Sequence, residues 1–218
     1  RFKVGLGMWI LVMSRDMECP FYMILKKMGV KNAWLIIALY HFARGTMEIV
    51  TARLLLREFR PNDLDTLTTC ESHPDMRRFE KGMPDRETVQ SFVEWAVRKA
   101  GETPRTDYRL AITVPPEDVV IGRVSLTSQN PDIREWEIGW AVCAEYWGKG
   151  YASEAARRML AFAFLELGVH RVVAFCHAGN TGSVRVMEKI GMKREGLLRQ
   201  TRWFNDGWAD EFVYAILE

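Results

Sequence analysis

A glycine-rich stretch between two apolar segments is the part of this 218-residue chain whose residue types best fit chemistry. The segment before it, Glu137–Cys143, alternates like a half-buried strand, and Gly150–Leu167 carries apolar residues at helical spacing. Gly148-Lys149-Gly150 joins the two. A strand, a loop and a helix start in this order direct several free backbone N–H groups and the positive end of a helix dipole at one point. The pattern predicts a site for a phosphate-bearing ligand.

Two common nucleotide-binding motifs are disfavoured. The Walker pattern is absent, and the dinucleotide fingerprint needs a glycine where this chain has Ser153. The wider string Tyr146-Trp-Gly-Lys-Gly-Tyr-Ala-Ser-Glu-Ala155, with Asn180-Thr-Gly-Ser183 and Lys189-Ile-Gly-Met192, resembles the GNAT superfamily of N-acetyltransferases. Within it the string is similar to the RimJ/RimL type, whose named members acetylate the N-termini of ribosomal proteins. The resemblance covers roughly Thr51 to Leu217.

The resemblance implies a cosubstrate, acetyl-CoA, and the residues that hold it. The glycine loop would bind the pyrophosphate, and the thioester arm would lie along the preceding strand, where one backbone N–H, that of Val142, would stabilise the oxyanion. Family members often carry Gln or Arg three residues before the first glycine, where this chain has Glu145. The implied contacts are Trp140, Ala141, Val142, Gly148, Lys149, Gly150, Tyr151, Ala152, Asn180 and Ser183.

Ser183 and Glu137 are the candidate catalytic residues. The resemblance implies that Ser183 protonates the leaving thiolate, although a serine in the first turn of a helix is often only structural. Glu137 shares one face of its strand with Glu135, and it either takes the amine proton through water or is a solvated edge carboxylate. Asn180 either caps the next helix or also contacts the pantetheine arm, and the two roles are compatible.

Charge and the remaining reactive residues exclude several classes of site. Residues 47–218 carry a net charge of −3, which disfavours nucleic-acid binding. The histidines His73, His170 and His177 lack metal-ligand spacing, so no metal site is expected. The cysteines form no CxxC pair, which predicts free thiols and a cytoplasmic location. Those cysteines are Cys19, Cys70, Cys143 and Cys176, the last two predicted to be core thiols rather than nucleophiles.

Residues 1–46 differ from the rest of the chain. They carry a net charge of +5 and two apolar runs, Val4–Met13 and Ala33–Tyr40, each short of the roughly 20 residues that span a bilayer. We expect an extension outside the domain, and we favour this over a basic anchor at a membrane surface. The predicted domain is residues 47–218.

The periodicities predict an α/β domain, and the resemblance implies that it has the GNAT fold. Its sheet is expected to be mixed and mostly antiparallel, with six to seven strands, flanking helices and central strands that splay apart towards Val142 and Cys176. Asn205-Asp206-Gly207 predicts a hairpin. Predicted strands are 52–58, 108–113, 119–127, 136–143, 171–176, 197–204 and 209–217, and predicted helices start near Pro61, Arg86, Gly150 and Thr181. Aromatic residues at the hairpin line an acceptor groove or pair across strands, namely Trp203, Phe204 and Trp208.

These features predict an enzyme that transfers the acetyl group of acetyl-CoA to a primary amine by direct attack in a ternary complex. The acceptor would be a protein N-terminus or a small amine, because an α-amine with a pKa near ~7.7–8.0 needs less help from a base than lysine near ~10.4. An acidic groove at Glu135 and Glu137 would favour cationic amines. The alternative is a non-catalytic acyl-CoA-binding module of the same fold. Either protein would be a monomer or a homodimer.

Overall fold

One sheet organises the protein. The computed structural model describes residues 47–204 and 207–218, and in these residues eight strands lie in the order β1-β2-β3-β4-β5-β6-β8-β7. All neighbouring strands are antiparallel except β5 and β6, which are parallel. The strands are β1 (Glu48–Val50), β2 (Leu55–Glu58), β3 (Asp107–Thr113), β4 (Val120–Asn130), β5 (Glu135–Val142), β6 (Arg171–His177), β7 (Lys193–Phe204) and β8 (Gly207–Leu217).

In the described part of the chain, four α-helices cover the sheet, two on each face. They are α1 (Leu64–Glu71), α2 (Arg86–Ala100), α3 (Tyr151–Leu165) and α4 (Thr181–Lys189). Helices α3 and α4 pack into the larger apolar core with Leu126 and Ile138. Helices α1 and α2 form a second cluster with Ala111 on the opposite face. None of these helices, within the described ranges, is long and apolar enough to cross a membrane.

The predicted fold is confirmed, with eight strands in place of six or seven. The added strand, β1, has three residues and is too short to show a period. Strand β2 begins at Leu55, three residues later than predicted. Asp85 caps α2 as expected, since its carboxylate accepts from the backbone N–H of Thr88 at 2.8 Å. Asn205 and Asp206 of the predicted hairpin lie outside the described residues, and Phe204 and Gly207 beside them are paired.

The central strands splay apart. Strands β5 and β6 pair only at their first three positions, the last being Glu137 with Val173. Beyond that point β5 stays paired with β4 as far as Val142, and β6 stays paired with β8 as far as His177. Each strand is therefore held by its outer neighbour, and a gap opens between the two halves of the sheet.

The expectation that the described cysteines are free thiols is wrong for one pair. Cys70 in α1 and Cys143, directly after β5, form a disulfide with their Cα atoms 5.2 Å apart. The two residues are 73 positions apart, and no motif in the sequence predicts that they meet. The bond ties α1 to the end of β5, beside the gap. Cys176 is free and buried, as expected.

Candidate active site

The glycine loop presents a row of unpaired donors. Gly148 and Gly150 have φ angles of 74° and 81°, in the left-handed region that favours glycine. In the part of the chain that the structure describes, no oxygen accepts from the backbone N–H groups of residues 148–152. The first turn of a helix leaves these groups unsatisfied, and the α3 dipole adds positive potential there. The loop can therefore bind an anion.

Cations surround this loop. A Cβ on Gly150 would lie 3.6 Å from Arg53 Nη2 and 3.9 Å from Lys189 Nζ. The Arg53 guanidinium lies 4.7 Å from the ring centroid of Tyr151, and Lys149 Nζ lies 4.9 Å from that of Tyr146. These charges add to the field of the helix. Arg53 is about a hundred residues away from the loop along the chain, and no local pattern predicted its place here.

The gap exposes backbone donors on β5. Cys143 N–H donates to the Ile121 carbonyl on β4, and the register alternates from there, so the N–H of Ala141 also points to β4. The N–H groups of Trp140 and Val142 point the other way, into the gap. Of the three predicted contacts on β5, Trp140 and Val142 thus direct an N–H into the gap, and Ala141 does not. At the loop end of the gap, Trp147 Nε1 donates to the Val142 carbonyl at 2.5 Å.

Asn180 and Ser183 lie at the start of α4, directly after β6. Asn180 Oδ1 accepts from Ser183 N–H at 3.0 Å, so Asn180 is an N-cap. The Asn180 N–H donates to the His177 carbonyl at the end of β6. Ser183 is half-buried, and none of the described residues hydrogen-bonds to its hydroxyl. That hydroxyl is available to a ligand in the gap.

Glu137 lies on the opposite face of the sheet from α3. Its Oε2 accepts from Gln129 Nε2 at 2.9 Å. Burial raises the pKa of this carboxyl above its usual value, with a further contribution from Glu211, and the positive charges of Arg109 and Arg202 oppose the shift. A carboxylate with a raised pKa is a stronger base than one in water.

The predicted acidic groove is mixed in charge. Glu135 is bound by Arg171 Nε at 2.7 Å and offers no free charge. Glu211, on the face of Glu137, is buried and lies 2.9 Å from Arg202 Nη2. Arg109 and Arg202 are close enough to act on Glu137. The expectation of a simple acidic surface is therefore wrong.

An aromatic cluster on this face was only partly predicted. His177 packs between Phe79 and Phe204, with ring centroids 5.1 and 5.3 Å away. Its Nδ1 accepts from Gly179 N–H at 2.9 Å, which leaves the proton of a neutral ring on Nε2. Trp203 and Trp208 pair edge to face on the other face of the hairpin, as cross-strand partners. Of the three hairpin aromatics, Phe204 contacts His177, whose partner on β8 is Glu211.

The remaining candidate nucleophile and metal ligands do not form a centre. Burial raises the pKa of the Cys176 thiol to about 11, and Glu211 adds to the shift, so the thiol is protonated near neutrality. Across residues 47–204 and 207–218, no group of three or more His, Cys, Asp or Glu side chains is arranged to hold a metal ion. The site consists of the loop, the gap and the face that carries Glu137.

Comparison with known proteins agrees with this geometry. The family model described as the Acetyltransferase (GNAT) domain matches residues 53–193, more than half of the chain. The chain belongs to the GNAT acetyltransferase family. Its GNAT domain is 35% identical to the uncharacterized N-acetyltransferase YnaD of Bacillus subtilis (strain 168) over 173 residues, which are 79% of this chain and 98% of YnaD.

Solved GNAT structures share the fold. A GNAT-family acetyltransferase from Bacillus anthracis is 33% identical, with a TM-score of 0.69 over 78% of this chain and 98% of the other. The ribosomal-protein-S5-alanine acetyltransferase of Vibrio fischeri is 17% identical, with a TM-score of 0.69 over 78% and 96%, a likeness of fold alone. The predicted enzyme class, an acetyl-CoA-dependent N-acetyltransferase, is confirmed by this membership.

Proposed function

We propose that this GNAT enzyme acetylates a primary amine by direct attack on acetyl-CoA within a ternary complex. The observation that carries the proposal is that two sets of unpaired backbone N–H groups adjoin each other, those of residues 148–152 and those of β5 that face the gap. An extended ligand with a pyrophosphate at one end and a thioester at the other matches both sets. In this proposal residues 47–218 are the catalytic domain, and residues 1–46 are an extension to it.

Acetyl-CoA would thread from the loop into the gap. Its pyrophosphate would accept from the backbone of Gly148, Lys149, Gly150, Tyr151 and Ala152. The pantetheine arm would lie between Asn180 on one side and Trp140 and Val142 on the other, with Ala141 contributing only its side chain. The thioester would then lie near Val142 N–H and the Ser183 hydroxyl.

Each step of the reaction has a group to support it. The amine nitrogen attacks the thioester carbon, and Glu137, about 16 Å from Val142 along β5, accepts the amine proton through a chain of waters. The N–H of Val142 donates to the oxyanion of the tetrahedral intermediate. The C–S bond then breaks, and Ser183 Oγ–H gives a proton to the CoA thiolate as the serine takes one back from water, while Glu137 releases its proton to solvent. The products are the N-acetyl amine and CoA.

Ser183→Ala is expected to lower kcat by about 100-fold and to change the KM for acetyl-CoA little, because the proton is needed only as the thiolate forms. Steady-state kinetics at saturating acceptor measure both constants. Thr181→Ala, in the same first turn of α4, is the matched control and should leave kcat unchanged. An unaltered kcat in the Ser183 variant would show that this serine is structural.

The acceptor that fits best is an α-amine, as in the RimJ/RimL type, or a small amine. Glu137 is the proposed general base, and the positive charges of Arg109 and Arg202 limit the rise of its pKa. Such a base suits an amine that is already partly neutral at pH 7, with a pKa near ~7.7–8.0, better than a lysine near ~10.4. Mixed charge on the acceptor face gives no preference for a polycation.

The proposal is tested by CoA release from acetyl-CoA with a panel of amines. The panel contains peptides with free N-termini, N-blocked peptides with an internal lysine, free amino acids and small amines. We expect turnover with α-amines or small amines and little with internal lysine. Tight acetyl-CoA binding without CoA release across the panel would favour a non-catalytic acyl-CoA-binding module.

A further inference from the structure

Thr51 and Arg53, in the segment before β2, form hydrogen bonds with Glu154 in the first turn of α3. Arg53 Nε donates to Glu154 Oε2 at 2.7 Å, and Nη2 lies 2.6 Å from the same oxygen. The other carboxylate oxygen, Oε1, accepts from Thr51 Oγ1 at 2.6 Å and from Arg53 N–H at 2.9 Å. Both oxygens of Glu154 are thus held by a segment about a hundred residues earlier in the chain.

Arg53 also binds the loop itself. Its Nη1 donates to the Lys149 carbonyl at 3.0 Å. A trans peptide plane directs its carbonyl and the following N–H in opposite directions, and the Lys149–Gly150 bond is trans. The bond to Arg53 therefore sets the orientation of the Gly150 N–H, which points away from the guanidinium. Glycine at position 150 permits either orientation of this peptide, so the orientation needs a partner to fix it.

The same contacts offset a charge that would oppose an anion. Glu154 lies in the first turn of α3, one turn from the loop. Burial alone would raise the pKa of this carboxyl, but the hydrogen bonds from Thr51 and Arg53 outweigh it and lower the pKa, so Glu154 is ionised at neutral pH. Without Arg53 its negative charge would face the phosphate site unpaired.

We propose that Arg53 is a positioning residue for the pyrophosphate of acetyl-CoA. It holds the Lys149–Gly150 peptide so that the Gly150 N–H faces the ligand, and it neutralises Glu154. The inference rests on the proposed binding of acetyl-CoA at this loop. Arg53 acts through the loop, because three of its five N–H groups already bind Glu154 and the Lys149 carbonyl.

The test compares acetyl-CoA with S-acetylpantetheine, which carries the thioester and no pyrophosphate. The variants are Arg53→Gln and Arg53→Lys, and lysine keeps the charge but lacks the planar fork that binds Glu154 and the Lys149 carbonyl through separate nitrogens. Arg158→Gln is the matched control, since Arg158 lies on α3 and pairs with Glu166 away from the loop. For each protein kcat and KM are measured with the best amine of the panel.

We expect both Arg53 variants to raise the KM for acetyl-CoA by roughly 10-fold to 100-fold, the value of a charge-assisted hydrogen bond, with kcat retained. Their kcat/KM for S-acetylpantetheine should match that of the wild type. Should Arg53→Gln fail to fold, Arg53→Lys carries the test alone.

Three results overturn the inference. A wild-type KM in Arg53→Lys would show that charge alone matters, and a wild-type KM in both variants would show no role. Equal losses with both thioesters would show that Arg53 supports the fold and not the pyrophosphate site. The proposed binding mode fails separately, if the wild type uses acetyl-CoA no better than S-acetylpantetheine.

Discussion

Gly150→Asp is expected to weaken acetyl-CoA binding by about 100-fold or more. A carboxylate within about 4 Å of the pyrophosphate would oppose it by a few kcal/mol at the dielectric typical of a protein surface. Gly150 also has a φ of 81°, so a side chain at this position strains the backbone of the loop. Isothermal titration calorimetry measures the dissociation constant.

Gly168→Asp is the matched control for this substitution. Gly168 has a φ of 64°, lies beyond the opposite end of α3, and would place its Cβ within 4 Å of nothing in the described residues. The Gly168→Asp variant therefore has a similar backbone strain and the same added charge, but far from the loop. Unchanged acetyl-CoA affinity in a folded Gly150→Asp protein would remove the loop from the binding site.

Glu137→Gln is expected to lower kcat by roughly 100-fold to 10,000-fold, the range for loss of a general base. Glutamine keeps the hydrogen bond to Gln129 through its carbonyl and cannot accept the amine proton. In the wild type kcat should fall as the pH drops through the raised pKa of Glu137, above the ordinary carboxyl value of 4.5. The variant should lack this acidic limb, so kcat measured against pH checks the assignment.

A measurement of stability distinguishes a loss of kcat in Glu137→Gln from unfolding of the variant. The pKa of Glu137 is raised in the folded state, so its contribution to stability is present in full below the unfolded pKa and is lost as the pH rises through the folded pKa. Glutamine cannot ionise, and the variant should be at least as stable as the wild type at neutral pH. Glu135→Gln, whose native carboxylate pairs with Arg171, is the control and should retain activity. Full kcat in Glu137→Gln would exclude the carboxylate as the base.

Local patterns predicted the elements that form the site. The alternation of β5 and the helical spacing of α3 placed the glycine loop between them, and the structure has this arrangement with both glycines in the left-handed region. The N-cap at Asn180 was likewise readable, because capping depends on residues three apart. These signals act within a few residues, which is why sequence alone carries them.

Contacts between distant segments were not predictable in the same way. The gap exists because β6 keeps its pairing with β8, which follows it by about 30 residues. The Cys70–Cys143 disulfide and the Arg53–Glu154 pair join positions 73 and 101 residues apart. Glu135 looked free in the strand pattern, and Arg171 on β6 binds it only after the sheet has formed. Such pairings form only in the tertiary structure, and the hydrophobic periodicity of the sequence does not predict them.

A crystal structure of the protein with acetyl-CoA tests the central claim most directly. The account predicts pyrophosphate oxygens about 2.9 Å from backbone nitrogens of residues 148–152, and the thioester carbonyl oxygen at the same distance from Val142 N. The pantetheine arm should occupy the gap between β5 and β6. Acetyl-CoA bound elsewhere, or bound with its pyrophosphate away from the loop, would contradict the account.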